Sequence, residues 1–78
     1  MRPDDILFSV RARPFRPFRI RMNSGQAYDV RHPELVRVML GSLLLFTPTD
    51  QPDVYERAQI LGLTLIEKIE PIDAPAAA

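Results

Sequence analysis

The rhythm of apolar and polar positions changes once, at Pro14. Before it, Ile6, Leu7 and Val10 fall on one stripe at 100° per residue, the period of a helix. Pro3 suits a first helical position, and Asp4 and Asp5 follow it where the helix dipole favours acids. Arg11 and Arg13 come at the carboxyl end, where cations are favoured. The spacing predicts a short helix over residues 3–11, with Phe8 pointing away from the apolar stripe. Pro14 ends it, because the residue before a proline is pushed out of the helical region.

After Pro17 the period becomes two. Phe18, Ile20 and Met22 alternate with Arg19 and Arg21, as in a strand with one buried face. "NSGQ" at 23–26 is turn chemistry, and a hairpin returns through "AYDVRH", where Tyr28 and Val30 alternate with Asp29 and Arg31. Pro33 ends or bends that strand. "LVRVML" resumes the alternation, "GS" at 41–42 is a tight turn, and the continuous run "LLLF" predicts a central strand. "TPTDQPD" is a loop, "VYERAQIL" a strand of mixed phase, and "LTL" after Gly62 a turn of 3₁₀ helix. "IEKIEPI" closes the fold as a final strand. The expected core is Phe18, Ile20, Tyr28, Val30, Val38, Leu44 and Ile60, with Phe15 sealing the helix end.

The pattern therefore predicts a mainly β fold, a small SH3-like or Sm-like barrel of roughly five or six short strands with a short N-terminal helix. Residues 1–72 form its single domain, and "DAPAAA" at 73–78 reads as a disordered tail.

Composition narrows the classes. Of 78 residues, 46% are hydrophobic and 26% charged, too apolar for a disordered chain. There are no cysteines, which excludes a disulfide scaffold and a thiolate metal cluster. So short a chain buries a small core with nothing to staple it, and self-association is a way to gain burial. The apolar run near the amino terminus is too short for a signal peptide or a membrane span, so a soluble cytoplasmic protein is expected.

Net charge is zero but unevenly spread. Eight of the ten basic residues lie in residues 1–39, whereas residues 40–78 hold Arg57 and Lys68 against six acids. A basic half beside an acidic half fits internal neutralisation or a pairing of surfaces.

The stretch "RARPFRPFRIRMNSGQAYDVRHPE" resembles a family of small uncharacterised bacterial proteins with an R-P-F-x-P-F strand, a Gly turn and a strand ending in His-Pro-Glu. The resemblance extends to the closing "IEKIEPI" and implies no function. The order of elements also resembles that of Sm-like RNA chaperones. Their basic-histidine signature is absent here, since "YERA" at 55–58 carries Glu56 and Arg57 instead.

Four groups of residues are candidates for chemistry or contact. Arg11, Arg13, Arg16, Arg19 and Arg21 could track phosphates, with Phe15 or Phe18 as a stacking platform. The plainer reading makes Arg19 and Arg21 the solvent face of a strand, neutralised by acids such as Glu67 and Glu70. His32 lies between Asp29 and Glu34, but this is no recognised ligand spacing, and a turn role is expected. Ser9, Ser24 and Ser42 lack a nucleophile context, and three glycines supply no phosphate loop. Phe8, Tyr55 and Leu61 are apolar residues expected at a surface and mark a protein interface.

These readings converge on a non-catalytic binding or assembly module, working through protein–protein contact as a homo-oligomer or with another protein. The alternative is a nucleic-acid-binding protein that uses the arginine-rich segment 11–21. No enzyme activity, cofactor, metal, membrane or small-molecule substrate is expected.

Overall fold

A helix opens the fold. In the computed structural model, which describes residues 1–72, α1 spans Pro3–Arg11. The Arg2 N–H donates to Asp5 Oδ2 at 3.0 Å and satisfies one of the free donors of the first turn. Ile6 is fully buried, whereas Phe8 on the far side is 81% exposed. The tail expected at 73–78 lies outside the described residues.

Six strands follow in two antiparallel sheets of three. They are β1 (Phe18–Met22), β2 (Ala27–Val30), β3 (Val36–Val38), β4 (Ser42–Pro48), β5 (Tyr55–Gly62) and β6 (Ile66–Pro71). The first sheet has the order β2-β1-β6 and the second β3-β4-β5. The β1–β2 hairpin turns at Gly25, whose φ of 98° is open to glycine at little cost. The Gly25 N–H donates to the Met22 carbonyl at 3.0 Å. A 3₁₀ turn at Pro33–Leu35 carries the chain into the second sheet, and another at Leu63–Leu65 brings it back. Two backbone bonds tie the second turn to both sheets. Leu63 N–H donates to the Gly41 carbonyl at 3.1 Å, and Asn23 N–H to the Leu65 carbonyl at 2.8 Å.

The core lies between the sheets and under the helix. Ile6, Phe18, Ile20, Met22, Val30, Val36, Leu43, Leu45, Leu61, Leu63 and Ile66 form one buried cluster. Phe15 is half-buried and packs against this cluster, its ring centroid 6.0 Å from that of Phe18. In β1 the alternation holds as the sequence implies, with Phe18, Ile20 and Met22 inward.

The expected core is wrong by one residue in β4 and β5. Leu43 faces Leu61 across the strand pair, and both point inward. Their neighbours Leu44 and Ile60 are paired on the outer face, where Ile60 is 69% exposed. A run of consecutive leucines offers both phases equally, and a strand has only two. Tyr28 and Val38 are half-buried beside the cluster rather than within it.

The fold is mainly β, but the expected closed barrel is not formed. Among the described residues the ladders end at β2 and β6 in one sheet and at β3 and β5 in the other. The 3₁₀ turns move the chain between sheets without extending a ladder across the gap. Among the described residues no helix is long and apolar enough to cross a membrane.

Candidate interaction surface

The arginine-rich segment divides into two environments. Arg19 and Arg21 alternate with the buried residues of β1, so their side chains stand on the outer face of the first sheet. The register places Arg19 opposite Asp29 of β2 on one side and Glu70 of β6 on the other. Arg19 Nε donates to Asp29 Oδ1 at 2.7 Å, and Arg31 Nη2 reaches the other oxygen of Asp29 at 3.4 Å. Arg21 donates from Nε to Glu70, whose second oxygen lies 3.9 Å from Lys68 Nζ. Each carboxylate thus bridges two cations.

The electrostatics follow from these pairs. The hydrogen bond from Arg19 holds the Asp29 carboxyl below its ordinary range, and partial desolvation opposes that shift. The bond from Arg21 lowers Glu70 in the same way. Asp29 in return raises the Arg19 guanidinium, chiefly through that hydrogen bond. Glu70 is therefore a partner of the basic segment, as the sequence suggests. Glu67, the other acid named with it, makes no ion pair among the described residues.

Arg11, Arg13 and Arg16 lie in the helix end and the connection to β1, and all three are exposed. Arg13 folds back on the helix, its Nη1 donating to the carbonyls of Ala12 at 2.8 Å and Val10 at 3.2 Å. That is the favoured place for a cation, at the negative end of the helix dipole. The five arginines consequently do not form one continuous groove.

The apolar candidates also separate. Phe8 is exposed beside a groove of about 220 Å³ lined by Ala12, Arg16, Pro17, Phe18, Ile69 and Pro71. Tyr55 is exposed and packs on Phe46, with ring centroids 5.2 Å apart. Leu61 is a correction. It is only 7% exposed and belongs to the core, because it pairs with the inward Leu43. Sequence reasoning missed Ile60 as a surface residue, together with Leu65 and Leu40, which is 92% exposed. For Leu40 a signal existed, since Leu40-Gly41 forms the tip of a tight turn. For Ile60 and Leu65 there was none.

β5 combines these features. Among the described residues it pairs with β4 alone, so one row of its backbone groups has no ladder partner there. Residues Tyr55 to Ala58 are exposed, and Ile60 projects from the outer face. An irregularity opposite Thr47/Pro48 confines the distortion to the first residues of the strand.

The concave surfaces hold little convergent chemistry. One of about 510 Å³ lies between β2 and the end of β4, with Gln59 of β5 also lining it. Its two charged residues, Arg19 and Asp29, are already joined. His32 and Glu34 line a separate depression with Thr49, Asp53 and Tyr55. Among the described residues no group of three or more His, Cys, Asp or Glu side chains is placed to hold a metal ion. Comparison with protein-family models, curated proteins and solved structures finds no match to the chain.

Proposed function

We propose that this protein is a non-catalytic assembly module that acts by contact with another protein chain. The observation that carries the reading is the β5 strand, which among the described residues is unpaired along one edge and bears exposed Ile60 and Tyr55. Such an edge is a template for strand pairing, and exposed apolar side chains beside it add burial. Phe8 on α1 supplies a second apolar contact. We also read the order of elements, with the chain bent at Pro33–Leu35 and a 3₁₀ turn before the last strand, as an opened SH3-like or Sm-like barrel.

Nucleic acid is the second reading, and one observation favours it. Arg11 and Arg16 are exposed and make no ion pair among the described residues. Against it, Arg19 and Arg21 are engaged by Asp29 and Glu70, which weakens the field that phosphates would meet. Titration with fluorescent single-stranded RNA and duplex DNA separates the two. The assembly reading expects weak, unspecific binding at physiological salt. Submicromolar affinity that falls steeply with salt would replace it with the nucleic-acid reading.

A further inference from the structure

The four outer strands of the two sheets are unequally protected. β2 has four residues, carries Asp29, and is followed closely by Pro33. β3 has only three. β6 has six, among them Glu67, Lys68, Glu70 and a closing Pro71. Short length, charge and proline are the devices by which native sheets blunt their edges. β5 has eight residues and no proline, and its charges, Glu56 and Arg57, sit together at its start. From Ala58 to Gly62 it is uncharged. Among the described residues, each chain therefore carries one long edge without these devices.

That count decides the occupant. A head-to-tail contact would pair β5 with one of the blunted edges of the next chain and leave an unprotected β5 at the end of every open assembly. A two-fold contact pairs β5 with β5 and leaves none. Resting on the assembly reading above, we infer that two copies of this chain join through antiparallel pairing of their β5 strands. The second sheets then merge into one of six strands.

Symmetry and charge also fix the register. A two-fold axis perpendicular to the sheet must pass midway between a residue and its own copy, which face each other. Centring on Glu56 or Arg57 sets like charges directly opposite, which is destabilising. Centring on Ala58 runs the pairing into the irregularity at the start of β5. Centring on Ile60 keeps residues 58–62 in regular pairing but sets the Gln59 amide beside the apolar Leu61, with no polar mate. Centring on Gln59 keeps residues 57–61 in regular pairing. Gln59 then faces Gln59 of the second copy, and an amide can both donate to and accept from its mate. On the outer face, Ile60 lies beside the small Ala58 of the other chain and loses part of its exposure. Arg57 lies beside Leu61 and meets no like charge.

The test uses charge at position 59 and the native mass of the full chain. The parent is expected at twice its 8.9 kDa chain mass at high micromolar concentration. Gln59→Glu is nearly isosteric and places two carboxylates face to face, and Gln59→Lys does the same with two ammonium groups. Each variant alone should run as a folded monomer with the parent's circular dichroism. An equimolar mixture of the two should recover the dimer mass, which loss of a merely structural side chain would not produce. Gln59→Cys, in a chain with no other cysteine, should give a covalent dimer on oxidation, whereas Ser24→Cys at the hairpin tip should not. A parent that is monomeric at that concentration overturns the inference. So does a dimer that survives both charged variants, or a mixture that stays monomeric. The mass is read without nucleic acid, so tight oligonucleotide binding would remove the assembly reading and leave a β5 dimer standing.

Discussion

Asp29 sits directly opposite Arg19 across the β1–β2 pair and accepts its Nε–H at 2.7 Å, while its other oxygen holds Arg31. One carboxylate thereby occupies two of the cations that a phosphate backbone would need. Asp29→Asn should release both. Exposed pairs of this kind contribute little to stability, so the melting temperature should change only slightly. Oligonucleotide affinity at low salt should rise several-fold, with a steeper salt dependence. Unchanged affinity would show that this face is not where phosphates approach.

The same pairs make a small part of the stability depend on pH. Asp29 and Glu70 have folded-state pKa values below those of the unfolded chain. Their contribution is fully present above the ordinary carboxylate range, about 4, and is lost as pH falls through the lowered folded values. Urea midpoints should therefore drop slightly more on acidification below about pH 4 than in a chain without these pairs. Replacing Arg19 and Arg21 together by Gln should flatten that drop. An equal fall in the variant would place the sensitivity elsewhere.

The phase of β5 can be checked with two neighbouring residues. Leu61→Ala removes a buried side chain and should cost about 2–5 kcal/mol, a large share of the stability of so small a domain. Ile60→Ser changes an exposed position and should stay within about 0.5 kcal/mol in the monomer. Chemical denaturation at low protein concentration reads both. The opposite ranking would mean that Ile60 is the inward residue.

The two aromatic residues around Pro17 should differ for the same reason. Phe18 is 3% exposed within the core, so Phe18→Ala should cost about 3–5 kcal/mol. Phe15 is half-buried, and Phe15→Ala should cost about 1–2 kcal/mol, since only part of its apolar surface leaves water. Equal losses in thermal melts would make Phe15 a full plug of the helix end.

Punctuation made the first half of the chain legible. Pro3, the paired aspartates and Pro14 bracket the helix at residues 3–11, and Gly25 marks the hairpin that follows. In β1 the arginines alternate with apolar residues, so one phase alone was acceptable. Leu43, Leu44 and Leu45 carry no such contrast, and the inward pair was settled by the partner strand. The error propagated across the ladder to Leu61 and Ile60. Barrel closure was less legible still, because it depends on whether β5 and β6 meet, and no local pattern encodes the meeting of two edges. The acid partners of the arginines were half legible. Glu70 lies across from Arg19 and diagonal to Arg21, but the distinction from Glu67 requires the register shift between Arg21 and Met22.

The placement of β1 between β2 and β6 has a kinetic side. The second sheet is a meander of sequential neighbours, and its contacts close short loops. The first sheet is different, since Phe18 finds Pro71 only after the whole meander has been threaded between them. Contacts of such long sequence separation are slow to form, because their loop entropy is lost before they reward the chain. Until residues 66–71 arrive, one side of β1 is an open template with Phe18 and Ile20 beside it. During synthesis or refolding, that waiting strand is where misassembly would begin.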